Sequence, residues 1–282
     1  MKQALYWQPE GTAIRCLLCP HACVIAEGHA GRCRVRQNQN EILMSLNYGE
    51  ISSMALDPIE KKPLYHFFPG TKILSVGTWG CNFHCQFCQN WEIAHGNPQV
   101  FFTAPEQLAQ LATRQGADCI GVAYTYSEPT VWFEYVLDAA VAVKKMGLKN
   151  VLVTNGFINE DPLRELLPFI DAMNIDVKAF GADYYRDVCA GGLDAVKRTV
   201  EIAARHTHVE VTTLLIPELN DSDAEISALA RWLSAISPDI PIHFSRYFPC
   251  YKMDRPPTSR ETLVRARSLA LPFLRYVHLG NV

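Results

Sequence analysis

The chain has 282 residues, a net charge of −3 and a pI near 6.3, so it is long enough for one large α/β unit with a small appendage and offers no basic footprint for nucleic acid. It contains no apolar run of about 18 residues, and its start, MKQALYWQPEG, lacks an apolar core ahead of a small-residue cleavage site. Neither a membrane nor export is indicated, and a cytoplasmic enzyme is expected. Of ten cysteines, seven fall into two tight clusters, which fits metal binding in a reducing compartment better than a disulfide framework.

The first cluster, CLLCPHACVIAEGHAGRC, places Cys16, Cys19, Cys23 and Cys33 at gaps of two, three and nine residues. Four thiolates complete one metal site. Structural zinc, a second 4Fe-4S cluster acting as an electron relay, and unmetallated thiols are the three readings, and zinc would staple a segment with little core of its own. His21 and His29 are poorer ligand candidates, as isolated loop histidines. Residues 1–70 are therefore expected to form a cysteine-rich segment and residues 71–282 the main unit. Between them IEKKPLYHFFPG, with Glu60, Lys61, Lys62 and His66, either roofs a cleft or links the two parts.

From Ile73 onward, short β-branched runs alternate with helical-period segments, the pattern of a parallel sheet covered by helices. Six strands are expected, ILSVGT, CIGVAYTY, NVLVTN, AMNIDVK, VEVTTLLIP and IPIHFSRY, with FLRYVHL as a possible seventh. Their near-continuous apolar character suits strands buried on both faces. Helix starts are read at Thr103 with Glu106 as a capping box, and at Asp161 as a cap before Pro162. Apolar stripes over Phe133, Val136, Leu137 and Ala140, and over Ile226, Leu229, Ala230, Leu233 and Ile236, mark the core faces of two helices. About 210 residues follow Lys72, too few for eight ordinary βα units. The expected fold is α/β, an incomplete (β/α)6 TIM-like barrel with chemistry at the C-terminal ends of the strands.

The second cluster, CNFHCQFC, follows the first of these strands directly and holds Cys81, Cys85 and Cys88. Three thiolates bind a 4Fe-4S cube with one iron left open for a ligand, whereas a structural zinc site prefers four protein ligands. Polar residues end the later strands, where a buried strand needs a reason to tolerate them. Ser127 and Glu128 lie in TYSEPT, where Glu128 can accept from an ammonium or either residue can cap a helix. Thr154 and Asn155 lie in VTNG. Asp176 and Lys178 in NIDVK share a face, ready for a cofactor's ribose and carboxylate or for each other, and His243, Ser245 and Arg246 alternate on IPIHFSRY.

The Cys81, Cys85, Cys88 spacing resembles the signature of the radical S-adenosylmethionine (radical SAM) superfamily. The resemblance implies that the open iron of the 4Fe-4S cluster chelates S-adenosyl-L-methionine, and that reductive cleavage gives a 5'-deoxyadenosyl radical that abstracts hydrogen from a substrate. It also implies that Phe87 packs on adenine and that SEP stands where the superfamily often holds the methionyl amino group. TNG and DVK resemble motifs of glycyl-radical-enzyme activases of the pyruvate formate-lyase activating type. Two activase positions differ: Val153 replaces an aspartate before TNG, and Thr212 replaces an arginine on the fifth strand.

As a set, CLLCPHAC, GRCRVR, DPIEKKPLYHFFPG, GCNFHCQFCQN and HFSRYFP look closest to the radical SAM protein of the AmmeMemoRadiSam group. Members of that group often carry a further cysteine-bearing tail, which is not found before Val282. The implied partners are an electron donor such as flavodoxin or ferredoxin and a small-molecule or protein substrate. A glycyl-radical activase is the nearest competing function, and a non-catalytic metal-binding scaffold is the competitor of another class.

Overall fold

The computed structural model describes all 282 residues. At its centre lies one eight-stranded sheet whose spatial order follows the chain: β1 (Ser53–Pro58), β2 (Lys72–Gly77), β3 (Cys119–Tyr124), β4 (Lys149–Thr154), β5 (Ala172–Asp176), β6 (His208–Leu215), β7 (Ile242–Arg246) and β8 (Val277–Gly280). All neighbouring pairs from β2 to β8 are parallel, while β1 runs antiparallel to β2 with Met54 opposite Val76. The six expected strands are present within two residues of their expected starts, and the possible seventh in FLRYVHL is β8. The eighth was not foreseen. Ser53–Pro58 precedes the boundary expected at residue 70, yet it is an edge of the main sheet.

Helices return the chain between parallel strands. Two of their starts differ from the sequence reading. α1 (Pro105–Thr113) is capped at Ala104, whose N–H is accepted by the Gln107 side chain at 3.0 Å, because the Thr103 backbone is drawn away to Gly49 O at 2.9 Å. α3 (Glu160–Leu166) begins after Asn159 rather than at Asp161, and Asn159 turns its amide to Leu17 O at 2.7 Å. Asp161 and Pro162 thus lie inside the first turn, where a missing N–H costs nothing. The two expected stripes are the inward faces of α2 (Phe133–Lys145) and of a later helix, Asp223–Ile236.

The segment between β1 and β2 is more than a link, since Lys61, Lys62 and Pro63 border the cleft at the C-terminal ends of the strands. Ile59, Leu64 and Phe67 pack with Ile73, Ala123, Val151 and Ala172 as a separate apolar cluster on the inner side of the sheet. Glu210, fully buried on β6, fixes that segment by accepting the N–H groups of Tyr65 (3.1 Å) and His66 (2.8 Å). Its carboxylate also meets ring nitrogens of His208 at 3.0 Å and His243 at 2.7 Å.

Residues before β1 form two small antiparallel sheets, one built on Trp7–Glu10, Ala13–Cys16 and Val24–Ile25, the other on Lys2–Gln3, Arg36–Gln39 and Ile42–Ser45. They dock on α2 through the Arg36–Glu134 pair, 2.9 Å apart with both side chains buried. No helix is long and apolar enough to cross a membrane.

Burial pushes the Glu210 carboxyl up, but the donors from His208, His243 and His66 outweigh it and hold the group down at about 2. A carboxyl depressed below its unfolded value of roughly 4.3 adds stability above that pH and loses it as pH falls toward 2. Between pH 5 and pH 2 the wild type should therefore lose roughly 3 kcal/mol more unfolding free energy than Glu210→Gln. Denaturant titrations at several pH values measure the difference, and parallel curves for the two proteins would contradict it.

Candidate active site

The residues following β2 have little regular structure until the short helix Trp91–Ala94, and they carry all three cysteines of the second cluster. Their shape is imposed from outside. Asn82 donates its amide to Phe157 O at 2.8 Å and accepts from the Asn155 amide at 2.8 Å. His84 N–H and Gln86 N–H bond to Cys189 O (2.9 Å) and Val188 O (3.0 Å), and Gln86 O accepts from Lys252 N–H at 2.9 Å. Phe83 is buried against Phe157 and against Gly191, where a Cβ would lie 2.0 Å from its ring. Gly80, at φ +88°, lets the chain pass so close to the N-terminal segment that a Cβ would stand 2.7 Å from Cys33 O.

A cavity of about 380 Å³ opens at this loop and at the C-terminal ends of the strands. Cys81, Cys85 and Cys88 border it together with Phe87, Ser127, Glu128, Thr154, Asn155, Asp176 and Lys178, so every expected site residue but one is gathered there. The exception is His243. Alternation puts it on the same face as Ser245, which does border the cavity, but two residues earlier on β7, where it is buried against Glu210. A separate cavity of about 520 Å³, lined by Glu201, Arg205, Trp232 and Asp239 among others, has no thiol and none of these strand-end groups.

Glu128 is 2% exposed and accepts from Thr154 Oγ1 (2.6 Å), Asn155 N (2.8 Å) and Thr130 N (3.0 Å). It thereby caps the turn Pro129–Trp132, as one sequence reading held, and ties the ends of β3 and β4 together. Burial still outweighs these neutral donors and leaves the carboxyl above its ordinary range, as expected for an anion lacking a cation. Ser127 is engaged by Thr78 O at 2.8 Å. Asp176 and Lys178 pair with each other at 2.7 Å. Burial lowers the Lys178 ammonium, but Asp176 and the thiols of Cys85 and Cys189 override this and raise it.

Burial, reinforced by Glu128, pushes the Cys81 thiol far up, and burial raises Cys88 to about 11. Cys85 goes the other way, because the Cys189 side chain hydrogen-bonds to it and, against the effect of burial, lowers it. Protonated thiols in such surroundings become thiolates when a metal displaces the proton.

Tyr126 and Asp57 were given no role by the sequence reading. Tyr126, at φ +70°, donates its hydroxyl to Asp57 Oδ2 at 3.0 Å, and Asp57 is also paired with Lys62 at 2.7 Å and Lys61 at 2.9 Å. Lys61, Lys62 and Tyr126 border the cavity. The two lysines stand in the segment that the sequence offered as a cleft roof or a link.

The residues present suit a cluster and its ligand. The thiols rim a space of several hundred Å³, in which the Thr212 hydroxyl is buried with no hydrogen-bond partner. A buried orphan of this kind marks a place where a bound group supplies the acceptor or donor.

Residues 76–230 match the Radical SAM superfamily. The chain belongs to that superfamily. It is 41% identical over 290 aligned positions to an uncharacterized protein of Methanocaldococcus jannaschii, an alignment that spans all of this chain and 86% of that one. It is 26% identical to the pyruvate formate-lyase 1-activating enzyme of Escherichia coli K12 over 58% of this chain and 69% of the relative. Among solved structures it resembles Streptococcus suis SuiB bound to S-adenosylmethionine, with TM-score 0.58 and 14% identity over 74% of this chain and 51% of that one, a likeness of fold. Superfamily membership implies an iron-sulfur cluster and S-adenosylmethionine as cofactors.

Gly80 offers a test of how the loop is seated. Gly80→Ala should destabilise the protein by about 1–3 kcal/mol, through positive φ and the contact with Cys33 O. Hydrogen exchange of residues 81–88 should rise with it. An unchanged unfolding midpoint would mean that the two segments are not pressed together.

Proposed function

We propose that this chain is a radical SAM enzyme in which Cys81, Cys85 and Cys88 hold a 4Fe-4S cluster and the adjoining cavity holds S-adenosyl-L-methionine. The observation that carries this reading is the gathering of the three thiols and the polar strand ends around one cavity. When bound, the reduced cluster would supply one electron to split a carbon–sulfur bond of S-adenosyl-L-methionine into methionine and a 5'-deoxyadenosyl radical able to take a hydrogen atom from the substrate. The chain's own contribution is placement and exclusion of water. Glu128 offers a carboxylate without a cationic partner to the methionyl ammonium, with Ser127 beside it. Thr154 and Asn155 fix Glu128 and the loop in one arrangement. Asp176 would accept from a ribose hydroxyl, Lys178 and the unpartnered Thr212 would hold the carboxylate, and Phe87 would pack on adenine. His243 acts at a distance, by holding Glu210.

The open sheet is read as a partial barrel, because Lys61 and Asn281, from beyond opposite edges of it, border the same cavity. Residues 1–70 form a cysteine-rich unit set against that core, with Ser53–Pro58 lent to its sheet. The partners are a one-electron donor of the flavodoxin or ferredoxin kind and a small-molecule or protein substrate. Similarity to the pyruvate formate-lyase 1-activating enzyme favours a second reading, activation of a glycyl-radical enzyme, although Val153 and Thr212 stand where that family's aspartate and arginine are expected.

Anaerobic reconstitution followed by reduction should give about four irons at Cys81, Cys85 and Cys88 and 5'-deoxyadenosine at least tenfold above a Cys88→Ala control. Zinc alone in that loop, or no 5'-deoxyadenosine even with cell extract added, would leave a metal-binding scaffold. A persistent doublet in the electron paramagnetic resonance spectrum of a protein partner would select the activase reading.

A further inference from the structure

We propose that Cys16, Cys19, Cys23 and Cys33 bind one zinc ion, and that this ion seats the loop carrying Cys81, Cys85 and Cys88. All four are free thiols that border a single small cavity with His21, Arg36 and Asn82. The knuckle is folded by Cys16 N–H on Cys23 O (2.9 Å) and Ala22 N–H on Cys19 O (3.1 Å). Gly31 brings the turn that carries Cys33 so close that a Cβ there would lie 3.5 Å from Cys23 Sγ.

The size of the space separates the two metal readings left open by the sequence. It is about 10 Å³, room for one water-sized body, against about 380 Å³ beside Cys81. So small a space favours a single ion over a four-iron cube. Four soft thiolates select zinc among the common divalent ions. Since no three side chains yet stand at single-ion distances, zinc would draw the sulfurs inward by side-chain rotation.

A second, independent observation points to a ligand. The Arg36 side chain is 1% exposed; its Nη1 is bound to Glu134 and its Nη2 to Leu5 O, while its Nε has no partner. Arg36 borders the same small cavity as Cys16 and Cys33. A metal-bound thiolate supplies the acceptor that this buried N–H lacks, as groups outside the ligand set commonly do for zinc.

The position of the knuckle gives the ion its leverage. His21 Nε2 lies 2.8 Å from Asn82 O, His84 Nε2 lies 3.2 Å from Arg32 O, and Gly80 packs on Cys33 O. These residues flank Cys81 and Cys85 on the loop.

Metal analysis of the full chain tests this. The wild type and the Cys81→Ala, Cys85→Ala, Cys88→Ala triple variant should each retain about one zinc, and Cys16→Ser with Cys33→Ser should lose it. Because that double variant can fail to fold, zinc is also stripped from native protein with a chelator. Hydrogen exchange of residues 80–90 should then rise at least tenfold and recover on adding zinc, and cobalt in its place should show thiolate-to-metal charge-transfer absorption. Absence of zinc from the wild type, four further irons that depend on Cys16 and Cys33, or loop exchange indifferent to zinc would each overturn the proposal. The triple variant reads the N-terminal site whether or not the proposed cluster exists.

Discussion

The three cysteines of the second cluster sit in a segment that no helix or sheet ladder stiffens, and the site exists only if that segment is held in one shape. Ordering such a chain costs roughly 1–2 kcal/mol of backbone entropy per residue, which the loop cannot offset from within. It is offset by neighbours: the 185–191 turn receives the N–H groups of His84 and Gln86, Lys252 donates to Gln86 O, and Asn82 binds Phe157 O and Asn155. Phe83 acts as the anchor beneath, and the absence of a side chain at Gly191 makes its slot. Positions far apart in the chain are thus recruited to fix eight residues.

The strands supply the rest of the site by alternation and depth. Inward residues low on the sheet are apolar and meet Ile59, Leu64 and Phe67, whereas those at the C-terminal ends are polar and meet the cavity. Between the two lies Glu210, a buried anion made tolerable by four donors. Its work is mechanical, since it clamps the segment that brings Lys61 and Lys62 to the cavity's edge.

Much of this was legible in the sequence because it depends on local pattern. Apolar runs located seven parallel strands, and spacing plus position after β2 singled out the cysteine loop. What stayed hidden depends on partners distant in the chain. Ser53–Pro58 has only one buried residue and was counted with the cysteine-rich segment, because nothing in it announces a strand until β2 lies beside it. Thr103 loses its expected capping role to a hydrogen bond with Gly49 O, and Asp161 loses its own because the helix already begins after Asn159, whose amide is held by Leu17 O. For His243, alternation gave the face but not the depth, because register against β6 decides which residue of a strand reaches the cavity. Tyr126 adopts a left-handed backbone that tyrosine rarely takes, so no residue preference announces it.

The same long-range logic joins the N-terminal unit to the cluster loop. That unit contributes few apolar residues to the core and is fastened by Arg36 on Glu134 and by Trp132 Nε1 on Asn47 O at 2.7 Å. The loop in turn leans on it at Gly80, Asn82 and His84. Breaking a buried ion pair such as Arg36–Glu134 costs about 3–5 kcal/mol when one partner is removed, so loosening the unit would withdraw one wall of the loop. A division at residue 70 therefore separates two stretches of sequence whose order is mutual: the main sheet holds the unit, and the unit helps hold the thiols at the C-terminal ends of its strands.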